Sequence, residues 1–131
     1  MAVANVSQVR SVLDGEQFVS LTTYRKNGND VSTPVWFAQD VDKIYVVTMR
    51  GSGKVKRIRN NGHVKLAPSN ARGIVHGDTI NGMATTHNPD SPTGQMAHKA
   101  LSKKYGFMLQ MFRFMWWIRR AESVFIEITP Q

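Results

Sequence analysis

Six short segments of the chain combine valine, threonine and aromatic residues between turn-forming residues, which is typical of β-strands. The predicted strands are residues 18–25, 30–39, 43–49, 63–68, 77–87 and 123–129. Between the first two strands, the Asn27-Gly28 pair supplies the positive φ angles that a tight hairpin turn needs. The acidic turn Asp40-Val41-Asp42 then leads into the third strand, so the first three strands form an antiparallel meander.

Helical patterns occur near the N-terminus and directly after the third strand. Residues 5–14 place apolar side chains at a helical spacing and lead into Gly15, which predicts a short amphipathic helix. The run Gly51-Ser52-Gly53-Lys54 precedes a second, basic helix. We expect the Ser52 hydroxyl to cap the first turn of this helix and Gly62 to end it in the left-handed conformation.

Two further helices are predicted before the last strand. Ser91-Pro92 opens a helix that extends to about Tyr105, Gly106 interrupts it, and a fourth helix runs to Arg120. Short antiparallel strands with interspersed helices favour a small, partly opened barrel over a doubly wound parallel sheet. The expected fold class is therefore mainly β (α+β).

We expect one domain over residues 1–131, with a helix in residues 1–15 and a helical insertion at residues 91–120.

Pro34 lies inside the second strand. Because proline cannot donate to a strand ladder, this strand must be bulged or on an edge there.

Charge is distributed unevenly along the 131 residues, which contain 17 Lys and Arg against 9 Asp and Glu. Eight basic residues and no acidic one lie between Lys43 and Gly77. Such a surplus attracts nucleic acid, an anionic membrane surface or a polyanionic small molecule, although a solvated face is the simplest alternative.

Several classes of chemistry have no candidate residues. The chain has no cysteine, which excludes a thiol nucleophile and a thiolate metal site. The four histidines lie 11 to 13 residues apart without a metal-ligand spacing, so no metal site is predicted. No nucleophile elbow or paired carboxylates are present, so an enzyme of this sequence needs a cofactor to carry its chemistry. The N-terminus lacks a secretory signal pattern, and a cytoplasmic location is expected.

The apolar stretch at residues 107–118 is shorter than the roughly 20 residues of a membrane-spanning helix. It predicts a dimer interface or core. A pocket wall, or an interfacial membrane helix aided by Arg119 and Arg120, remains an alternative.

The run Gly51-Ser52-Gly53-Lys54 is not a Walker motif. Thr48 stands at the first glycine position and Val55 at the Ser/Thr position. A glycine-rich turn before a basic helix nevertheless presents backbone amides, a hydroxyl and Lys54 to one point, which predicts a phosphate site. The alternative is a plain strand-to-helix connection.

Three runs of residues, in order, resemble the pyridoxamine-phosphate-oxidase-like split-barrel family. They are FVSLTTYR from residue 18, VSTPVWF from residue 31 and SGKVKRIRNN from residue 52. Together with the later Lys104-Tyr105-Gly106, they are most similar to its actinobacterial branch of deazaflavin (coenzyme F420)-dependent oxidoreductases. The resemblance covers about residues 16–128 and implies a homodimer of six-stranded antiparallel split barrels with short flanking helices.

The resemblance also implies where a cofactor binds. A flavin or deazaflavin ring would lie against the second strand near the dimer cleft, with Thr48 beside the ring. The turn at residue 52 would bind the phosphate of the cofactor. The residues implied to contact the cofactor are Thr33, Pro34, Val35, Trp36, Thr48, Ser52, Gly53, Lys54 and Arg72.

Coenzyme F420 is the cofactor expected, because basic residues that the FMN-using oxidases carry are absent at Thr33, Ala38 and Gly53. The C-terminal segment that reads pyridoxal phosphate in those oxidases is also absent. The phosphodiester and oligoglutamate tail of F420 would suit a broad basic strip, which consists of Lys54, Lys56, Arg57 and Arg59. The expected activity is hydride transfer to or from a conjugated, lipophilic small molecule.

Two alternatives remain. One is an FMN-binding flavoprotein of the same fold. The other is a non-catalytic module that binds nucleic acid or anionic lipid, although Tyr45 is the only aromatic residue between Lys43 and Gly77 and nucleic acid is not an expected partner. No proton donor is identified, because nothing in the sequence ranks Tyr24, Tyr45, Tyr105 or the histidines.

Overall fold

The structure, a computed structural model, describes the backbone of residues 6–119 and 123–131 and the side chains of residues 9–106 and 123–131. Its strands are β1 (Phe18–Tyr24), β2 (Asp30–Asp40), β3 (Lys43–Met49), β4 (His63–Ser69), β5 (Ile80–His87) and β6 (Ser123–Pro130). Its helices are α1 (Val6–Leu13), α2 (Gly53–Asn60) and α3 (Pro92–Arg119). The strands form an antiparallel closed barrel in the order β1-β2-β3-β6-β5-β4.

The predicted elements are confirmed within a few residues at each end. β5 begins three residues later than predicted, at Ile80, after a loop that follows β4. The predicted break at Gly106 is confirmed: with φ 49° and ψ −118° this residue is not helical, and it divides α3 into two helical segments. The predicted fold class, a mainly β antiparallel barrel with flanking helices, is confirmed.

The hairpin between β1 and β2 differs from the prediction. Gly28 has a φ of +89°, whereas Asn27 does not adopt a positive φ. The Arg25 amide donates to the Asn29 carbonyl at 2.8 Å, and the Gly28 amide donates to the Arg25 carbonyl at 2.9 Å. The loop is therefore longer than the two-residue turn that needs positive φ at both positions.

The predicted caps of α2 were wrong. The Ser52 side chain makes no capping hydrogen bond, and the residue after the helix, Asn61, is extended at φ −146°. Gly62 has no positive φ. Glycine at this position instead lets the backbone approach β5 closely, because a Cβ on Gly62 would lie 2.9 Å from the Ala84 carbonyl oxygen.

The start of α3 follows the predicted pattern of a serine cap before proline. The Gly94 amide donates to the Ser91 hydroxyl oxygen at 3.0 Å, and that hydroxyl donates to the Asn88 carbonyl at 2.7 Å. Pro92 occupies the first helical position, where its missing N–H costs nothing.

Two apolar clusters hold the molecule together. The larger fills the barrel, and α1 and α2 contribute Val9, Leu13 and Ile58 to it. The smaller lies outside the barrel, where Leu101 and Tyr105 of α3 pack against Phe125 of β6 and its neighbours. None of the described helices is long and apolar enough to span a bilayer. The side chains of the apolar stretch at residues 107–118 lie outside the described residues.

β2 changes partner half-way along its length, which opens the barrel locally. Its residues 30–36 pair with β1, and its residues 37–40 pair with β3. At the far end of β3, residues 47–49 pair with β6. In the described part of the chain, a split therefore remains between the first half of β2 and the last residues of β3. Pro34 lies opposite Ser20 in an uninterrupted register, so it is on an edge rather than in a bulge.

Candidate cofactor site

The residues of β2 that were predicted to contact a cofactor are divided between the two faces of the strand. Thr33 and Val35 pair with Leu21 and Val19, whose side chains fill the barrel. Pro34 and Trp36 alternate with them and therefore face outwards. The Trp36 ring stacks on the Tyr105 ring with 4.8 Å between centroids and 15° between planes.

Thr48 lies on the other side of the split, near the end of β3. It alternates with Val47 of the outer cluster, so it faces the barrel interior, as Thr33 does on β2. The Thr48 and Ser52 hydroxyl oxygens are 3.3 Å apart. The turn from β3 into α2 thus presents two hydroxyl groups at the split.

Arg57 lies across the first turn of α2. Its Nε donates to the Thr23 hydroxyl oxygen at 2.6 Å, which ties the helix to the end of β1. A Cβ on Gly53 would lie 2.6 Å from Nη1 of Arg57. Glycine at this position therefore makes room for the guanidinium beside the N-terminus of α2.

Lys54, Arg57 and Arg25 form a group of cations that we call the α2 cation cluster. Burial lowers the pKa of Lys54, and the charge of Arg57 lowers it further. Burial and the neighbouring charge of Arg25 lower the pKa of Arg57. No described carboxylate lies within salt-bridge distance of these three residues. The cluster carries an uncompensated positive charge that a bound anion would relieve.

The basic strip predicted from the sequence is not continuous on α2. Lys54 and Arg57 lie three residues apart and share one side of a helix that has about 3.6 residues per turn. Lys56 and Arg59 share the other side, and both are exposed. The buried residues Val55 and Ile58 face the barrel between the two pairs.

Arg72 is exposed in the loop between β4 and β5. The Asn70 side-chain oxygen accepts hydrogen bonds from the amides of Arg72 and Ile74, at 2.9 and 3.0 Å, and holds the loop in shape. Gly73 packs close to Pro34, since a Cβ there would lie 3.4 Å from its Cδ. The loop therefore reaches β2 beside the split, without a described contact between Arg72 and the α2 cation cluster.

Sequence reasoning did not single out Thr23 or Arg25 as site residues. Thr23 contacts Arg57 across 34 positions of sequence, and Arg25 lies next to Arg57 through the same arrangement of β1 and α2. Both residues lie in the run FVSLTTYR that resembles the family, but that run gave neither of them a role at the site.

Tyr105 has a structural role at the point where β2 changes partner. The Phe37 amide donates to its hydroxyl oxygen at 3.0 Å, and the hydroxyl proton can be donated to the Phe37 carbonyl at 2.8 Å or the Gln17 carbonyl at 2.9 Å. Burial raises the pKa of Tyr105 to about 12. A hydroxyl held this way is poorly placed to donate a proton to a substrate.

The other tyrosines and histidines are dispersed over the described part of the structure. Burial and the Glu127 carboxylate raise the pKa of Tyr45. His76 contacts Glu16 at 2.5 Å, and His87 lies 3.7 Å from Glu127. None of these contacts involves the α2 cation cluster.

The barrel and its site define the class to which the protein belongs. The family model described as pyridoxamine 5'-phosphate oxidase matches residues 6–131, so the chain is a member of that family. This confirms the resemblance to the family, whereas the F420-dependent branch stays a prediction. No curated protein matches the chain.

Solved structures share the fold at low sequence identity. An F420 reductase superposes with a TM-score of 0.65 at 19% identity, over 93% of this chain and 92% of its own. An FAD-binding protein from Mesorhizobium loti superposes with a TM-score of 0.67 at 18% identity, over 98% and 89%. The haem storage protein HutZ from Vibrio cholerae gives a TM-score of 0.72 at 11% identity, over 100% and 92%.

Proposed function

We propose that this protein is a coenzyme F420-dependent oxidoreductase that transfers a hydride to or from a conjugated, lipophilic small molecule. The observation that carries the proposal is the α2 cation cluster, which lies beside the split of the barrel without a described carboxylate partner. The family and the F420 reductase of the same fold support it.

The residues at the split fit the phosphate of such a cofactor. Lys54 and Arg57 supply two positive charges, the first turn of α2 supplies backbone amides, and Thr48 and Ser52 supply hydroxyl groups. When bound, the deazaflavin supplies the hydride chemistry. The chain would hold the phosphate, and Thr33 and Val35 of β2 and Thr48 of β3, which border the split, would lie nearest to the ring.

An FMN flavoprotein is the second candidate, and one observation favours it. α2 separates the pair Lys54 and Arg57 from the pair Lys56 and Arg59, so each pair forms a compact charge rather than part of one strip. A compact pair suits a single phosphate group as well as it suits a long anionic tail. The FAD-binding protein of the same fold also supports a flavin.

We further propose that the protein acts as a homodimer. The first half of β2 and the last residues of β3 each have an edge without a described partner strand. Such strand edges are ordinarily covered. A second copy over the split would cover them and enclose the cofactor.

The deciding experiment is a titration of the apo protein with F420 and with FMN, followed by quenching of tryptophan fluorescence. We expect F420 to bind more tightly than FMN. The reverse order would replace the proposal by the flavoprotein. Failure of both cofactors to bind at low salt would overturn the oxidoreductase proposal altogether.

The same titration tests the α2 cation cluster. Lys54→Ala removes one charge-assisted contact to the phosphate and should weaken binding by about tenfold or more. The control is Lys65→Ala, which removes the same charge from an exposed position on the outer face of β4 and should leave the affinity within about twofold. Equal affinities in the two variants would place the phosphate elsewhere.

A further inference from the structure

A second cleft lies at the opposite end of the barrel from the α2 cation cluster. α1 covers this end, next to the turn between β2 and β3, whereas α2 covers the end where β1 finishes. The cleft has a volume of about 400 Å³, within the range of small-molecule sites. Its walls are α1, the end of β2 and the part of α3 before Gly106.

The lining of the cleft combines positive charge with apolar surface. Arg10, Lys103 and Lys104 line it against a single carboxylate, Asp14. Ala100 supplies partly exposed apolar wall, Leu13 lines the cleft although only 1% of it is exposed, and the remaining lining residues are Gly15 and Gln39. No described carboxylate lies within salt-bridge distance of Arg10, Lys103 or Lys104, and Arg10 donates one hydrogen bond to the Val41 carbonyl at 3.4 Å.

The ammonium group of Lys104 lies in an unusual position. Its Nζ is 3.3 Å from the centroid of the Phe37 ring and 5.3 Å from that of Tyr105. The residue as a whole remains exposed at the cleft, but its charged end is turned onto aromatic rings. This desolvation lowers the pKa of Lys104 to about 8, and Glu16 offsets the effect in part. The ammonium has lost water, and no described carboxylate lies within salt-bridge distance of it.

We propose that this cleft binds a small organic carboxylate with an apolar body. The carboxylate would lie among Arg10, Lys103 and Lys104, and the apolar body would lie against Ala100. This site is separate from the proposed cofactor site and does not depend on it, because the two lie at opposite ends of the barrel and share no lining residue.

The test is a titration of the isotopically labelled protein, followed by its amide NMR signals. The probes are hexanoate, the neutral hexanamide and inorganic phosphate, each at physiological salt. We expect hexanoate to shift the Gly15 and Gln39 amides in a saturable way, and we expect hexanamide and phosphate to leave them unchanged. Saturable shifts of equal size with hexanamide would overturn the role of the charge, and equal shifts with phosphate would overturn the role of the apolar wall. No saturable shift with hexanoate would overturn the site itself.

Substitutions identify the residues that hold the carboxylate. Lys104→Gln and Lys103→Gln should each weaken hexanoate binding about tenfold, the usual value of one charge-assisted contact. Lys103 is exposed, so its variant keeps the test valid if Lys104→Gln is poorly folded. Lys99→Gln is the matched control, because Lys99 is exposed on the same helix and does not line the cleft. Equal hexanoate affinity in all three variants would contradict the proposal.

Discussion

Tyr105 shows how one side chain can complete a strand ladder. Its hydroxyl lies where β1 begins and where β2 changes its partner from β1 to β3, and there it accepts from one backbone amide and can donate to either of two carbonyl groups. The ring adds a stacking contact with Trp36. Because three backbone groups depend on one hydroxyl, loss of that oxygen leaves buried polar groups without partners.

We therefore predict that Tyr105→Phe lowers the free energy of unfolding by about 1–3 kcal/mol, the usual cost of unsatisfied buried groups. Tyr24→Phe is the control, because the described structure gives the Tyr24 hydroxyl no hydrogen bond, and its change should stay within about 0.5 kcal/mol. Urea denaturation of the three proteins measures the difference. Equal stability of all three would show that water replaces the hydroxyl.

Lys104 should make stability depend on pH. Its pKa is lowered to about 8 in the folded protein, below its ordinary value of 10.5. Between these values the unfolded chain keeps a proton that the folded chain releases, so the free energy of unfolding rises with pH in this window and is insensitive to this residue below it. The charged groups around it are Arg10, Asp14, Glu16 and Lys103.

We predict that the stability of the native protein relative to Lys104→Met increases by about 1 kcal/mol from pH 7 to pH 10. This value is smaller than the full pKa shift implies, because solvent exposure and attraction to the Phe37 ring offset part of the desolvation. Urea unfolding of both proteins at several pH values provides the measurement. A difference that does not change with pH would contradict the prediction.

At the scale of the element, the two serine residues before α2 and α3 differ although their sequences look equally suited to capping. The Ser91 hydroxyl oxygen accepts a hydrogen bond from the Gly94 amide at 3.0 Å. The Ser52 side chain makes no capping bond and lies near Thr48. A helix start therefore depends on the rotamer that the surroundings permit as well as on the residue type.

The matched pair Ser91→Ala and Ser52→Ala tests this difference. Ser91→Ala should lower the free energy of unfolding by about 1 kcal/mol, the usual value of an N-cap. Ser52→Ala should change it by less than about 0.5 kcal/mol, as expected for a residue without a capping bond. Thermal or urea unfolding distinguishes the two. Equal losses would show that Ser52 caps α2 in solution.

At the scale of the whole molecule, the split between β2 and β3 is the feature from which we predict a homodimer. We predict a particle of twice the chain mass of 14.7 kDa, measured by analytical ultracentrifugation at micromolar concentration. A dimer covers the free edges of β2 and β3 and removes them from water. Sedimentation as a monomer at every concentration tested would contradict the prediction.

The strands and helices could be predicted from the sequence because they depend on local patterns. Alternation of apolar and polar residues and the β-branched residues indicate strands. Ser91-Pro92 indicates the start of a helix, and Gly106 indicates a kink. All of these signals depend on residues only a few positions apart. The glycine-rich turn before α2 likewise indicated Lys54 as a residue for binding anions. These inferences needed no knowledge of the distant chain.

The tertiary structure decided which residues share a site. Packing of α2 on the barrel brings Arg57 to Thr23 and Arg25, and it divides the basic strip into two pairs. Packing of α3 places Lys104 over Phe37 and forms the second cleft, which no sequence motif predicted. The sequence by itself therefore determined the elements, the fold family and the excess of positive charge. Closure of the barrel determined where those charges meet, because desolvation and charge repulsion depend on distances between residues that are far apart in the chain.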